Sequence, residues 1–307
     1  MISRTTLVGA LVVVELAILS AAAQAVGGAR WHAHHSAFGF VDDGSDEAVV
    51  TSLDKTFAAG PTPHVVIDVD NAKVFVQAGS DREVRVTGTM RVSGRTSGSK
   101  PSLSAVQTAD GVRVSAESGL VHVRHGRLER EVRLIVPAGA EIEVASSGPL
   151  QAGGLRGKLV AHIDDGSVRI VNQRGDVDVT TASGDIELLD VQSTSIVART
   201  DDGALRFTSS GADRIDAHTA SGAITAVGLR AVDGAVATDD GHVVVTFAPE
   251  TDANVTLHTD DGSIAGAGAG DTSQSAESRT VRLGSARGSF AVSTASGSIT
   301  VSQGAKV

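Results

Sequence analysis

A short phrase of turn residue, glycine and alternating apolar residues recurs through the second half of the chain, and its spacing decides what the chain can fold into. It reads Ser147-Gly148-Pro149-Leu150, Asp165-Gly166-Ser167-Val168, Ser183-Gly184-Asp185-Ile186, Asp202-Gly203-Ala204-Leu205, Ser221-Gly222-Ala223-Ile224, Asp240-Gly241-His242-Val243, Asp261-Gly262-Ser263-Ile264 and Ser296-Gly297-Ser298-Ile299. Successive glycines are 18, 18, 19, 19, 19, 21 and 35 residues apart, so one unit is stacked repeatedly, with a longer interruption before the last copy. A constant period in this range is the signature of a solenoid.

Around each glycine the pattern has a period of two. For Gly203 the small, apolar or Thr positions are Ile196, Ala198, Thr200, Leu205 and Phe207; for Gly222 they are Ile215, Ala217, Thr219, Ile224 and Ala226; for Gly297 they are Phe290, Val292, Thr294, Ile299 and Val301. Alternation on both sides of a turn means two half-buried strands per repeat. The corner glycines are read as supplying backbone angles that other residues reach only with strain. A second corner is expected halfway round, at Gly157, Gly175, Gly234 and Gly288. Consecutive coils then stack in parallel about 4.8 Å apart. Thr181, Thr200, Thr219, Thr238, Thr259 and Thr294 all stand three residues before a corner glycine, so stacking aligns them into a ladder of packed methyls and hydrogen-bonding hydroxyls. The fold class expected is all-β: a parallel β-solenoid with about 18–19 residues per coil. A twisted stack of antiparallel sheets is the alternative.

Composition fits a thin stack. Of 307 residues only 3% are aromatic, with no Tyr, so the core must be narrow and built from Val, Ile, Leu, Ala and Thr. The absence of Cys removes disulfides, thiolate catalysis and thiolate zinc sites together. At the N-terminus, Arg4 precedes an apolar run from Leu7 to Leu19, followed by Ala23-Gln24-Ala25, the small-x-small form of a signal-peptidase site. Residues 1–25 are therefore read as an export signal cleaved after Ala25, with an uncleaved anchor helix as the alternative. Glu15 fits neither reading well, since a central carboxylate costs about 2.5–3.5 kcal/mol on insertion. Residues 26–54 read as a linker, 55–139 as a first β region of short alternating strands, and 140–307 as the repeats.

Three features together carry a family resemblance: Val84-Arg85-Val86-Thr87-Gly88, the strand from Val132 through Pro137-Ala138-Gly139-Ala140, and the Gly-Asp-Ile and Gly-Ser-Ile repeats. Over roughly residues 55–307 the chain resembles the bacterial putative-adhesin family, a β-strand-repeat domain of unknown function. The resemblance implies a β-helical domain of the cell envelope, exported or membrane-anchored, with no catalytic residues to carry over. The departure is the segment from Ala265 to Arg279, which separates the last two units and puts their direct stacking in question.

Candidate sites each have a plain alternative. Acidic corners Asp164-Asp165, Asp201-Asp202 and Asp239-Asp240 alternate with Ala182-Ser183 and Ala220-Ser221. Paired carboxylates on a turn can offer oxygens to a hard cation, but Asp-Gly is also a favoured turn pair and no corner matches a known calcium repeat. Asp239, Asp240, Asp260 and Asp261 are the metal candidates of most interest, because no neutral corner separates them in sequence. His162, His218 and His258 lie at an outward position of non-adjacent coils and read as exposed strand residues. Trp31 with His32, His34 and His35 is a weak metal motif in the linker. From Arg82 to Arg133 ten Lys/Arg (Arg82, Arg85, Arg91, Arg95, Lys100, Arg113, Arg124, Arg127, Arg130, Arg133) face five acids, a local excess of five positive charges in a chain of net charge −10. Interleaved Arg and Glu on strands read first as solvent-facing residues, and second as a basic face for anionic headgroups or polymers.

The function expected is non-enzymatic surface contact in the envelope, adhesin-like or scaffolding, with an envelope polymer, a membrane surface or a protein as partner. No cofactor, nucleic acid or small-molecule substrate is called for. An anchored sensing module is the alternative. A carbohydrate-active enzyme comes third, since it requires paired acids converging in a groove. The last coil, near Ser298 to Val301, is a candidate open edge for pairing.

Overall fold

Alternation governs every coil. In the computed structural model Ile196, Ala198, Thr200, Leu205 and Phe207 are at most 2% exposed, while the residues between them turn outward. The structure describes residues 49–79, 82–97, 102–117, 122–266, 271–274 and 277–304. The predicted signal or anchor, most of the linker and the Trp31–His35 motif lie outside them. All described residues belong to one compact unit, Asp46–Val307. Its regular elements are all strands, and among the described residues no helix is long and apolar enough to cross a membrane.

The N-terminal strands are β1 (Val49–Ala58), β2 (His64–Val69), β3 (Ala72–Ala78), β4 (Glu83–Ser97), β5 (Ser102–Gln107), β6 (Gly111–Glu117) and β7 (His122–Val136). The repeats contribute β8 (Glu141–Ser146), β9 (Leu150–Gly153), β10 (Leu159–Ile163), β11 (Val168–Val171), β12 (Val177–Ser183), β13 (Ile186–Leu189), β14 (Gln192–Asp202), β15 (Leu205–Thr208), β16 (Gly211–Ser221), β17 (Ile224–Asp240) and β18 (Val243–Phe247). The chain ends in β19 (Ala253–Ala265), β20 (Asp271–Gln274), β21 (Ser278–Arg282) and β22 (Gly288–Gln303). Even-numbered strands from β8 to β16 stack in parallel on one face, ending on the second half of β17. The odd-numbered strands from β9 to β15 stack on the other, followed by the first half of β17 and then β18. The solenoid is therefore parallel, as the period implied.

The thin space between the faces is filled by Val, Ile, Leu and Ala, with Phe207, Phe247 and Phe290 as the largest buried rings. Phe247 and Phe290 meet edge to face at 5.4 Å. The threonine ladder forms, and each of its hydroxyls reaches the carbonyl of the corner glycine in the preceding coil of the stack, Thr181 also reaching the Asp164 carbonyl at 3.3 Å. The distances are 3.4 Å for Thr181 to Gly166, 3.1 Å for Thr200 to Gly184, 2.9 Å for Thr219 to Gly203 and 3.0 Å for Thr238 to Gly222.

The reason for the corner glycines differs from the expected one. Of the eight, only Gly184 and Gly297 have positive φ. They are required because the corners nest: a Cβ on Gly203, Gly222 or Gly241 would collide with the carbonyl of Gly184, Gly203 or Gly222. A column of left-handed residues sits at the opposite corner: Gly154 (φ 75°), Asn172 (φ 54°), Asp190 (φ 51°), Ser209 (φ 49°) and Gly228 (φ 69°). Gly157 and Gly175, read as that corner, lie just beyond it and serve close approach, to Ala140 and Gly157 carbonyls respectively.

Both ends of the stack are threaded out of order. At the first, β2 and β3 lie between β6 and β7 on one side and β8 and β9 on the other, so residues 55–139 and 140–307 contribute neighbouring coils to one core. At the second, β22 pairs in parallel with β17 and β18 on one side and with β19 on the other. The last two sequence units do stack directly, with Gly262 opposite Gly297, but in reversed order. Two ladder bonds report the same order: Thr294 donates to Gly241 at 3.1 Å and Thr259 to Gly297 at 3.3 Å.

The expected open edge at Ser298–Val301 is consequently interior, covered by Ile264 and Ala265. Antiparallel strands cover the ends instead: β21 and β20 beyond β19, β4 and β1 beyond β7, and β5 beyond β6. At the first end, Lys55 Nζ donates to the Ala105 carbonyl at 2.9 Å and Gln107 Nε2 to that of Ala58 at 3.1 Å, tying β1 to β5. Such side-chain bonds occupy edge carbonyls that otherwise invite a foreign strand.

Candidate functional site

The corner edge carries the most regular chemistry of the molecule. After each inward threonine two residues turn into solvent before the glycine, and their identity alternates from coil to coil. The registers place Ser183 opposite Asp202, Asp202 opposite Ser221, Ser221 opposite Asp240, and Asp240 opposite Ser296, which lies opposite Asp261. In space the order is Asp164-Asp165, Ala182-Ser183, Asp201-Asp202, Ala220-Ser221, Asp239-Asp240, Ala295-Ser296, Asp260-Asp261.

Asp239-Asp240 and Asp260-Asp261 are therefore not neighbours. The out-of-order coil inserts a neutral corner between them. Every aspartate pair is two coils, or about 9.6 Å, from the next. That distance exceeds the Debye length of about 8 Å at physiological ionic strength, whereas adjacent-coil carboxylates would repel across about 4.8 Å. Among the described residues no group of three His, Asp or Glu is placed to hold a metal ion.

The histidines face outward as read. His218 Nε2 lies 3.6 Å from Asp239 Oδ1 and His258 Nε2 lies 3.0 Å from Asp260 Oδ1, each at the exposed acidic corner. The flat faces carry ion pairs that run from coil to coil: Arg169 with Glu187, Arg199 with Asp216 at 2.6 Å, and Arg206 with Asp185 at 2.5 Å. Asp185 also accepts from the Ala204 amide at 2.9 Å, and the Arg206 bond together with this one holds its carboxyl below the ordinary range.

Two surface depressions lie among the described residues. One, of about 560 Å³, runs along the second corner and is lined by Asp213, Arg230, Glu250, Asp252 and Arg287 among others. Its charges are largely matched, with Arg230 on Glu250 at 3.4 Å and Arg287 on Asp252 at 2.6 Å. The other, of about 370 Å³, lies at the first corner of the N-terminal coils, between Asn71–Lys73, Thr89, Arg91 and Leu128–Glu131. Neither is lined by an aspartate-pair corner, so the convergence of those acids that glycosidase chemistry requires is not provided there.

The second depression holds the residue that sequence reading missed. Arg130, counted among the solvent-facing arginines, is 6% exposed. The signal was available: Arg130 has the parity of Val132, Leu134 and Val136, all buried, and so must point inward. Its Nη1 donates to the Asp70 carbonyl at 2.6 Å. Burial pushes its guanidinium down from the ordinary arginine value, with the charge of Asp70 opposing. Arg85 and Arg133 do face solvent, on Asp54 at 3.0 Å and Glu131 at 2.6 Å, and Arg133 also stacks 4.3 Å above the Phe75 ring.

A family model for Toastrack DUF4097 matches residues 63–302. The chain belongs to the Toastrack DUF4097 family. The match spans the out-of-order coils at both ends as well as the regular repeats between them. No curated protein matches this chain. Similar solved structures include a putative adhesin from Bacteroides fragilis, at 11% identity, covering 84% of this chain and 98% of that one with a TM-score of 0.42. A putative adhesin from Parabacteroides merdae is 12% identical over 83% of this chain and 96% of that one, with a TM-score of 0.46. A protein described as putatively lipid-binding, from Parabacteroides distasonis, is 13% identical over 81% and 96%, with a TM-score of 0.44.

Proposed function

We propose that this Toastrack chain is a non-enzymatic, extracytoplasmic contact module of the cell envelope. The observation that supports this reading most is the edge of exposed aspartate pairs repeated at every second coil, along the face where β8, β10, β12, β14, β16, the second half of β17 and β22 stack in parallel. A stiff rod presenting one group at fixed intervals suits many weak contacts made together, each adding avidity without a deep pocket. The mature chain begins at Val26, outside the cytoplasm.

Two measurements test this. Fractionation with intact-mass analysis of the expressed protein is expected to find the chain starting at Val26 outside the cytoplasm; a full-length chain in the membrane fraction supports the anchored alternative. Co-sedimentation of the purified protein with isolated envelopes is expected to retain the wild type. It should lose most of a variant with Asp164, Asp201, Asp239 and Asp260 all changed to Asn. Equal retention of the two removes the edge from the reading, and no retention of either removes the contact role.

A further inference from the structure

The fold sorts the basic segment between Arg82 and Arg133. Arg85 and Arg133 sit on Asp54 and Glu131, Arg130 turns inward, and Arg91 lies opposite Glu129 across the β4–β7 pair. Arg95, Arg124 and Arg127 gather elsewhere, on one short stretch of that pair. β1 accompanies β4 only as far as Val49 opposite Val92, and β3 accompanies β7 only from Ala72 opposite Arg130. From Ser93 opposite Arg127 to Ser97 opposite His122 the pair runs on as a two-stranded ribbon, with which no other described strand pairs.

Charge on this ribbon is of one sign. Residues 93–97 and 122–127 contain three arginines and no Asp or Glu, within a chain of net charge −10. The register sets Arg95 directly opposite Arg124, and like charges directly opposite each other destabilise a strand pair unless an anion joins them. Beside that row the register shifts, with His125 and Gly126 against Gly94 alone, the two-against-one count of a bulge. The position of the ribbon matters as much as its charge. The coil corner beside it closes at Asp70-Asn71, where the Asn71 amide donates to Ser147 of the neighbouring corner at 2.7 Å. The ribbon carries on past that corner, and Ser93 to Ser97 alone spans about 13 Å, more than the Debye length of about 8 Å.

We propose that the distal β4–β7 ribbon is a docking surface for an anionic phospholipid bilayer, carried by Arg95, Arg124 and Arg127. Each basic residue at an anionic leaflet adds attraction that fades within a Debye length. A flat bilayer therefore meets the projecting ribbon while the aspartate edge of the same chain stays beyond that range. A long flexible polyanion, by contrast, is repelled as it follows the corners toward Asp164-Asp165 and the pairs beyond, which favours the lipid surface. Arginine suits such a surface, being always charged, weakly hydrated and matched to phosphate oxygens. The ribbon lies off the aspartate pairs, and neither this reading nor the contact role requires the other.

The test is flotation of the full chain, as recovered from the expressing cells, with phosphatidylcholine vesicles made with and without phosphatidylglycerol. Phosphatidylglycerol is expected to raise the partition of the wild type, and NaCl to reverse that gain. Arg95→Gln, Arg124→Gln and Arg127→Gln should each weaken the partition about fivefold, and the three together about a hundredfold, with an unchanged circular dichroism spectrum. Lys158→Gln, the same loss of charge at an exposed position of the solenoid, should stay within about twofold of the wild type. The variant with Asp164, Asp201, Asp239 and Asp260 all changed to Asn should float no less than the wild type, so failure of the lipid contact is distinguishable from failure of the envelope contact. No gain from phosphatidylglycerol, or a triple arginine variant that partitions like the wild type, overturns the proposal. So does retention on heparin resin without flotation, which assigns the ribbon to a polymeric polyanion.

Discussion

Thr219 offers a clean dissection of what holds the stack together. Its side chain is 0% exposed, and its hydroxyl donates to the Gly203 carbonyl at 2.9 Å while its methyl packs in the core. Thr219→Val keeps the shape and deletes the hydrogen bond, which costs about 1 kcal/mol, rising toward 3 kcal/mol if the carbonyl is left without a partner. Thr219→Ser keeps the bond and deletes one methyl, costing about 1 kcal/mol in transfer and cavity terms. Thr219→Ala removes both and should cost about 2 kcal/mol or more. Thr225→Val, on the outer face of the neighbouring strand, is the control and should fall within about 0.5 kcal/mol of wild type. The assay is the urea midpoint at constant slope, since a changed slope signals loss of cooperativity along the stack. If Thr219→Val were as stable as wild type while Thr219→Ser was not, the ladder would hold by its methyls alone. The role assigned to the hydroxyls would then be wrong.

Three further outcomes follow from the geometry. Because the chain has no cysteine, pairs can be introduced singly: Asp240→Cys with Ser296→Cys should oxidise to a disulfide. Asp240→Cys with Asp261→Cys, about 9.6 Å apart, should not, as non-reducing electrophoresis of the intact monomer will report. Gly222→Ala should cost more than 3 kcal/mol or prevent folding, since its Cβ meets the Gly203 backbone, whereas Gly60→Ala, with nothing within 4 Å, should be neutral by the same denaturation assay. Asp185 titrates below its unfolded value, so its contribution is present above the unfolded pKa and is lost as pH falls through the lower, folded one. Asp185→Asn should therefore flatten the acid limb of the stability profile while changing midpoints at pH 3 less than at pH 6.

Much of the architecture was legible along the chain because a solenoid is nearly one-dimensional. Each unit touches only its neighbours, so a local phrase such as Thr219-Ala220-Ser221-Gly222-Ala223-Ile224 already states which residues face inward, where the corner falls and which column a hydroxyl joins. Parity alone would have placed Arg130 inside, had the apolar run of β7 been extended backward by one step. What the glycines are for was less legible: nesting of backbones between coils and a left-handed angle within one coil select the same residue.

The sequence by itself determined the two-strand coil, the parallel stack, the narrow aliphatic core and the threonine column, all of which depend on residues within one period. Only the tertiary structure decided the order of coils at the two ends, because any coil with the same inward pattern stacks equally well on any other. The insertion of β22 between β17 and β19 is a choice among such equivalents, and it leaves the far side of β19 to the antiparallel strands β21 and β20. That choice separates Asp240 from Asp261 with Ser296 and completes an alternation of charge that the linear order of the chain conceals.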